Sequence, residues 1–225
     1  MTYEWREIKT WPSVEDGAYL RFEKGDFKCW VSKWANVGEW AKVGERTVVG
    51  AGAKVGEWAE VGAGANVGAG AKVGAWAKVG EWAEVGAGVK VGERTVVGAG
   101  AEVGEWAKVG EWAEVGAGAK VGAGAVVGAG AKVGAGAKVG AGAKVNICLA
   151  FGPVGSRNSY LHHFPELGIF TTGCFYGTEK ELLAKVKATH KNNGHAKAYK
   201  AAIAGLKALG KVVLVKRKQD GKGES

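Results

Sequence analysis

The stretch Val31-Ser32-Lys33-Trp34-Ala35-Asn36 opens a series of twenty consecutive six-residue units, which closes with Val145-Asn146-Ile147-Cys148-Leu149-Ala150. Valine stands first in every unit, and most units read Val-Gly-x-x-Ala-x. A repeat this short and this strict indicates one structural element stacked many times. Because six residues do not return to one stripe of a 3.6-residue helix, the repeat predicts short strands separated by bends.

Each unit also predicts which of its side chains are buried. In Ala53-Lys54-Val55-Gly56-Glu57-Trp58, side chains alternate across an extended chain, so Ala and Val point inward and Lys points outward. The last two residues form a corner, and we expect the Gly after each Val to relieve the backbone where the chain turns. Three strands and three corners close a triangle, whose coils stack as parallel strands about 4.8 Å apart.

The hexad resembles the aliphatic-Gly-x-x-small-x pattern of the hexapeptide-repeat family over residues 31–150. The resemblance implies an all-β, left-handed parallel β-helix, a triangular solenoid with 18 residues per coil, and a homo-oligomer with the trimer favoured. Its handedness rests on the resemblance alone, because general sheet rules favour right-handed crossovers. Around it we expect an N-terminal cap at 1–30, a small α+β domain at 151–215 and a disordered basic tail at 216–225.

Charge and cysteine usage set the broad class of partners and the compartment. The net charge is +9, from 31 basic and 22 acidic residues, and Asp220 is the only acid between positions 185 and 222. A basic excess favours anionic partners and serves solubility equally well. The three widely spaced cysteines are expected to be reduced thiols inside a cell. Neither a membrane span nor a secretory core is seen, so a cytoplasmic location is predicted.

Residues 18 positions apart lie above one another in such a solenoid, and one corner then carries a row of large side chains. Aromatic rings at strand spacing can stack, and an arginine can lie between two indoles as a cation–π partner. The row is either a platform for a base or a sugar, or a self-satisfied ladder or oligomer contact. Its members are Trp40, Trp58, Trp76, Arg94 and Trp112.

One face of the solenoid is predicted to carry a column of like charges that repel one another. Such a column could bind polyphosphate or nucleic acid. Alternatively it is an ordinary solvated face, with Glu57, Glu93 and Glu111 neutralising its lysines. The column runs through Asn36, Lys54, Lys72, Lys90, Lys108, Val126 and Lys144, of which Lys54, Lys72, Lys90 and Lys108 form the basic row.

The residues that the repeat lacks bear on catalysis. Enzymes of the family it resembles, the acyltransferases and the γ-class carbonic anhydrases, use histidines on or between the coils. Residues 31–150 contain no His and no loop insertion. The solenoid is therefore predicted to hold no imidazole base and no metal, and the chain to be no enzyme and to need no cofactor. The near-copy of Val43–Trp58 at Val91–Trp106 ignores the coil register, which favours a scaffold.

After Asn146 the repeat ends and the composition changes. The capping box Thr178-Glu179-Lys180-Glu181 predicts a helix that Asn193-Gly194 ends, followed by a second helix from His195 to Leu209. The remaining pattern predicts strands at 147–151, 160–164, 169–176 and 212–215, with a turn-rich loop at 152–158.

The loop Gly155-Ser156-Arg157 is the main candidate site of this segment. Its backbone amides, hydroxyl and guanidinium can hold a phosphate, although a structural turn in which Arg157 pairs a carboxylate is the alternative. Together with Gly173-Cys174-Phe175-x-Gly177, the loop loosely resembles a small tail domain of phage and prophage proteins. The predicted ligand-binding set is Gly155, Ser156, Arg157, Asn158, Tyr160 and His162.

Two adjacent histidines follow the loop. Because strand side chains alternate, at most one of His162 and His163 faces it. Adjacent histidines rarely ligate one ion, so no metal site with Cys174 is predicted. A Cys174 nucleophile with a histidine base would be a catalytic arrangement, whereas an inert buried cysteine is the simpler interpretation.

These features lead to the hypothesis of a non-enzymatic binding protein. It would be a phage-type oligomeric scaffold that captures an anionic, nucleotide-like ligand, as a sponge for an immune signal, in the cytoplasm of an infected or lysogenic bacterial host. A small anion or nucleotide is preferred to nucleic acid, and no membrane partner is expected. The alternatives are a structural spacer or assembly module, and a hexapeptide-type transferase acting at the C-terminal domain through His162, His163 or Cys174.

Overall fold

The structure, a computed structural model, describes residues 2–11, 13–154, 159–172 and 175–220, except for the side chains at 16, 159 and 212–220. The chain divides into two compact units, Met1–Asn146 and Ile147–Ser225. The first is built from β-strands apart from one short helix, and the second combines strands with helices. Within the described residues, no helix is both long and apolar enough to cross a membrane.

The N-terminal segment extends two faces of the repeat. Its elements are β1 (Thr2–Glu4), α1 (Trp5–Ile8), β2 (Ser13–Asp16), β3 (Tyr19–Lys24) and β4 (Phe27–Ser32). Strands β2, β3 and β4 form an antiparallel meander, and Val31 of β4 then pairs in parallel with Val49 of the repeat. The rings of Tyr3, Trp11 and Phe27 pack edge to face, with centroids 4.9 to 5.4 Å apart. This placement supports the proposal that residues 1–30 cover the start of the solenoid.

The repeat forms two-residue strands, one from each hexad. They are β5 (Asn36–Val37), β6 (Lys42–Gly44, which is one residue longer), β7 (Val48–Val49), β8 (Lys54–Val55), β9 (Glu60–Val61), β10 (Asn66–Val67), β11 (Lys72–Val73), β12 (Lys78–Val79), β13 (Glu84–Val85), β14 (Lys90–Val91), β15 (Val96–Val97), β16 (Glu102–Val103), β17 (Lys108–Val109), β18 (Glu114–Val115), β19 (Lys120–Val121), β20 (Val126–Val127), β21 (Lys132–Val133), β22 (Lys138–Val139) and β23 (Lys144–Val145).

Every third strand pairs in parallel, so the coil has three sides and the solenoid three faces. Face A contains β6, β9, β12, β15, β18 and β21, with β1 added at its edge. Face B continues from β4 through β7, β10, β13, β16, β19 and β22, and face C contains β5, β8, β11, β14, β17, β20 and β23. The predicted fold class, a triangular parallel β-helix with an α+β C-terminal region, is confirmed, and the winding is consistent with the left-handed form.

Valine and alanine fill the interior, as the alternation predicts. The repeat valines from Val43 to Val145 are at most 3% exposed. At two positions Thr replaces the inward Ala, and each hydroxyl donates to a carbonyl of the next coil: Thr47 to Gly62 at 3.0 Å and Thr95 to Gly110 at 2.7 Å. Both buried hydroxyls are therefore satisfied, which a dry core requires.

The Gly after each Val is needed for a reason other than the predicted one. Positive φ occurs two residues later, at the second corner residue, as in Gly100 (φ 61°) and Trp82 (φ 57°). At Gly80, by contrast, an added Cβ would lie 2.4 Å from the backbone nitrogen of Ala99 in the next coil. Close approach of backbone to backbone, and not the turn, therefore excludes a side chain at this position.

The second unit is a four-stranded antiparallel meander with two helices. Its elements are β24 (Leu149–Val154), β25 (Ser159–Phe164), β26 (Ile169–Thr172), β27 (Phe175–Thr178), α2 (Glu179–His190) and α3 (Gly194–Asp220). The helices pack on one face of the sheet around a core that includes Leu161, Phe170, Leu182, Ile203 and Leu206.

The structure confirms the predicted starts of both helices. The capping box is present: the backbone N–H of Thr178 donates to Oε2 of Glu181 at 2.7 Å, and the backbone N–H of Glu181 donates to Oγ1 of Thr178 at 3.4 Å. Asn193 caps the N-terminus of α3, since its Oδ1 accepts a hydrogen bond from the backbone N–H of Ala196 at 3.1 Å.

The predicted strand at 212–215 is wrong, because α3 continues to Asp220 and also includes residues 216–220 of the predicted tail. Helix propensities of β-branched residues are lower than that of Ala by under about 1 kcal/mol each, too little to stop a helix already formed. The predicted strand at 169–176 is a hairpin of two strands, β26 and β27.

Candidate active site

The corner row predicted from the 18-residue spacing exists as a stack. The rings of Trp40 and Trp58 lie 4.9 Å apart and 1° from parallel, and those of Trp58 and Trp76 lie 5.2 Å apart and 9° from parallel. Arg94 lies 4.6 Å over the ring of Trp112, and Arg6 closes the other end, 3.8 Å over Trp40. Trp58 has a neighbouring ring on both of its faces, so no base or sugar can stack there.

The stack has a measurable stability consequence. Trp58→Ala removes two ring pairs, each contributing about 0.5–1.5 kcal/mol beyond area burial. The matched control is Trp82→Ala, because Trp82 has a similar positive φ (57° against 59°) and is exposed but has no ring partner among the described residues. We expect Trp58→Ala to lower the free energy of unfolding by roughly 1–3 kcal/mol more than the control does, measured by chemical denaturation. Equal losses would show that the stack stabilises nothing.

The predicted basic row also exists. The ion pairs with glutamate that would neutralise it are not formed in the described residues. Lys54, Lys72, Lys90 and Lys108 occupy successive paired positions on face C. In the described residues, none of these lysines has a carboxylate oxygen within 4.0 Å of its ammonium nitrogen. This holds also for the carboxylates of Glu57, Glu93 and Glu111 at the neighbouring corner. The row is therefore a column of positive charge that forms no direct ion pair among the described residues.

A row of polar side chains crosses the C-terminal sheet from strand to strand. His162 of β25 pairs with Thr171 of β26 and with Ala150 of β24, and Thr171 pairs in turn with Tyr176 of β27. Directly opposed residues have Cβ atoms about 4.5–5.5 Å apart, so these side chains adjoin on one face. Tyr160, two residues before His162 on the same face, has its ring centroid 6.5 Å from the imidazole.

Two polar atoms at the centre of this row are buried and unpartnered. His162 is 3% exposed and Thr171 is 1% exposed. Nδ1 of His162 and Oγ1 of Thr171 have no hydrogen-bond partner among the described residues. A buried polar atom left without a partner costs roughly 1–3 kcal/mol, so two such atoms side by side make this row a candidate functional site. The outer members, Tyr160 and Tyr176, are about half exposed.

Burial also sets the protonation state of the imidazole. It lowers the pKa of His162 below the usual histidine value, and a hydrogen bond to the backbone of Thr171 opposes this only in part. The neutral form therefore persists to lower pH than in an exposed histidine. A neutral imidazole with an unpartnered ring nitrogen can take a proton from a substrate, which is the task of a general base.

His163 faces the helices instead and has a structural role. Its Nδ1 lies 3.2 Å from the carbonyl oxygen of Leu206 in α3, and its ring stacks on Phe170 at 4.2 Å. Burial lowers the pKa of His163 as well, and the hydrogen bond to Leu206 opposes this. The prediction that the two histidines occupy opposite sides of the strand agrees with these contacts, and they leave His162 as the candidate base.

The structure tests only part of the predicted ligand-binding set. Gly155, Ser156, Arg157 and Asn158 lie outside the described residues, as does Cys174, so the phosphate loop and the cysteine nucleophile stay predictions. Tyr160 and His162 do lie on one face.

Sequence reasoning missed Thr171 and Tyr176. The short connection between β25 and β26 contained a usable signal, since it places Phe164 opposite Ile169, and counting back two pairs places His162 opposite Thr171.

Comparison with family models and with curated proteins finds no match. Solved structures do match. A hexapeptide transferase family protein of Anaplasma phagocytophilum is 20% identical with a TM-score of 0.51, over 52% of this chain and 73% of its own. A Bacillus cereus protein, named provisionally as an acetyltransferase, is 18% identical with a TM-score of 0.51, over 57% of this chain and 76% of its own.

These neighbours contradict the hypothesis of a non-enzymatic protein that captures a nucleotide-like ligand, and with it the prediction that the chain is no enzyme. The solved proteins that share the solenoid carry the names of transferases, which favours the transferase alternative. The matches give no support to the resemblance to a phage tail domain. At identities of 18% and 20% the likeness establishes architecture and not activity. The repeat of this chain thus has the fold of the hexapeptide-repeat proteins.

Proposed function

We propose that the protein is an acyltransferase, of the acetyl-transferring kind, whose catalytic base is His162. The observation that carries the proposal is the Nδ1 of His162, which is buried and has no hydrogen-bond partner among the described residues, in a chain whose solenoid has the fold of proteins named as transferases. The neighbours supply the reaction class, and the cross-strand row supplies the chemistry for it.

The base would act on the nucleophile of the acceptor. As the lone pair of an amine or hydroxyl attacks the carbonyl carbon of an acyl thioester, Nδ1 of His162 takes the proton that the acceptor loses. The tetrahedral intermediate expels the thiolate, which recovers a proton from the imidazolium, so the histidine returns to its neutral form. Oγ1 of Thr171, which likewise has no partner in the described part of the chain, would hydrogen-bond the acceptor beside the base.

The position of this base departs from the pattern that the family resemblance implies. Residues 31–150 contain no histidine, so the solenoid itself offers no imidazole. Here the repeat would serve as a rigid platform and the C-terminal sheet would supply the reacting groups. Tyr160 and Tyr176, the exposed members of the row, would bound the approach of the acceptor to the buried ring.

The proposal is tested with the full chain and acetyl-coenzyme A as the thioester donor. Primary amines and hydroxyl acceptors, amino sugars included, are supplied one at a time, and released thiol is followed with a thiol reagent. We expect release that depends on the acceptor, together with an acetylated product of the matching mass. If no acceptor gives release above the rate of donor hydrolysis, the proposal is overturned.

A homotrimer is part of the same proposal. The family resemblance supports it, and a trimer would align three solenoids as one rigid body. Light scattering of the purified protein should then give three times the chain mass of 23.2 kDa. A mass equal to that of one chain at micromolar concentration would exclude the trimer. It would leave the proposed acetyl-transfer chemistry unaffected.

A further inference from the structure

The outward positions of face C differ in charge from those of the other two faces. Face C presents, in order along the stack, Asn36, Lys54, Lys72, Lys90, Lys108, Val126 and Lys144. These positions include no carboxylate. Lys54 to Lys108 are four consecutive lysines, at the strand spacing of about 4.8 Å.

The other two faces carry both signs of charge and form ion pairs between them. On face A, Glu60 forms ion pairs with both Lys42 and Lys78, whose Nζ atoms lie 3.6 and 3.5 Å from its carboxylate oxygens. Lys132 and Glu114 pair across adjacent coils of the same face at 3.0 Å. On face B, Lys120 and Glu102 pair at 2.5 Å. Cross-coil pairing is therefore available to this solenoid wherever a carboxylate stands next to a lysine.

The lysines of face C form no such ion pairs in the described residues. Like charges directly opposite one another on adjacent strands destabilise a sheet. The carboxylates at the neighbouring corner, Glu57, Glu93 and Glu111, form no ion pair with the row within 4.0 Å in the described residues. An external anion with charges repeated along a line would remove this repulsion and gain the attraction of several lysines at once.

We propose that the row Lys54, Lys72, Lys90 and Lys108 binds a linear polyphosphate chain along the axis of the solenoid. The surface is a flat column of ammonium groups on rigid strands, which suits an unbranched chain of phosphates. A single-stranded nucleic acid would also need aromatic faces for its bases. In the corner row Trp40, Trp58 and Trp76 do not provide them, since their rings are stacked on one another.

The lysine row and the proposed active site belong to different units of the chain, since all four lysines lie in the solenoid unit and His162 lies in the other. Binding would be electrostatic and would weaken steeply with salt. Taking the single-strand value of about −0.7 per ion pair, four lysines give a slope of log affinity against log salt of about −3.

The test uses the full chain and inorganic polyphosphate, with orthophosphate as the single-charge comparison. Affinity is measured by calorimetry at several salt concentrations. The row variant is Lys72→Gln with Lys90→Gln, which removes the two central charges and keeps a polar side chain at both positions. The control variant is Lys78→Gln with Lys132→Gln, which removes two lysines that are already paired on face A.

We expect the row variant to bind polyphosphate at least tenfold more weakly, with its salt slope reduced to about half. The control should stay within twofold of the unsubstituted protein, and orthophosphate should bind far more weakly than the chain. The row variant should also be no easier to unfold, since it loses a repulsion.

Three outcomes would overturn the proposal. The first is no binding of polyphosphate at low salt. The second is an equal loss of affinity in both variants, which would mean a diffuse effect of net charge. The third is tighter binding of a single-stranded oligonucleotide of matched charge, which would identify nucleic acid as the partner of this face.

Discussion

Replacing His162 with Gln is expected to lower acetyl transfer by about 10²- to 10³-fold, because a positioned base contributes an acceleration of that order. Gln keeps a polar group of similar reach but cannot accept and return a proton. The control is His195→Gln, the same change at an exposed histidine, which should leave the rate within twofold. Unfolding curves of both variants separate a lost base from a lost fold.

The pH profile supplies a readout that a structural role for His162 would not move. Burial lowers the pKa of His162, so the neutral, active form is present from below the usual histidine value upward. Activity should therefore rise with pH along an acidic limb that lies below about 6.5, and then level off. In the Gln variant that limb should disappear. A variant that keeps both its rate and its acidic limb would exclude His162 as the base.

Replacing Gly80 with Ala is expected to lower the free energy of unfolding by about 3 kcal/mol, the upper end for overpacking. The added Cβ would lie 2.4 Å from a backbone nitrogen and 2.7 Å from a backbone carbonyl carbon of the next coil. Neither can move aside as a flexible side chain would, because both are backbone atoms of a coil that is hydrogen-bonded to the next one, as by the N–H of Gly98 to the carbonyl oxygen of Val115 at 2.7 Å. The coils around the substitution must separate, and a solenoid depends on contacts between neighbouring coils.

The matched control is Gly100→Ala, at a corner of the next coil. Gly100 has φ 61° and nothing within 4 Å of an added Cβ, so its cost is conformational only, about 1 kcal/mol. Chemical denaturation measures the difference, and hydrogen exchange of the strands on either side of Gly80 locates it. If the two variants lose the same stability, the turn and not the close approach explains the Gly that follows each Val.

Vertical neighbours in the solenoid could be predicted by arithmetic. An unbroken period of six and a three-sided coil make residue i and residue i+18 adjacent, and no insertion disturbs the count. Trp40 above Trp58 and Lys54 above Lys72 followed from this alone, and the structure confirms both. The direction of the corner side chains did not follow from it, and Glu57 forms no ion pair with the lysine row among the described residues.

The candidate site was harder to reach because it depends on hairpin register. Alternation placed His162 and His163 on opposite sides of their strand, and the helix contacts of His163 agree with this. It did not say which strand lies beside them. Reading residues 169–176 as one strand hid the hairpin that brings Thr171 beside His162 and Tyr176 beside Thr171.

By itself the sequence determined which side chains line the interior and which residues stand above one another, because a strict short period makes both a matter of counting. Only the tertiary structure decided which charges stay unpaired and which buried polar atoms have no partner. Those outcomes depend on side-chain directions and on the register between strands. A difference of an ångström or two in the distance between a lysine nitrogen and a carboxylate oxygen decides whether an ion pair forms. The sequence repeat does not encode that distance.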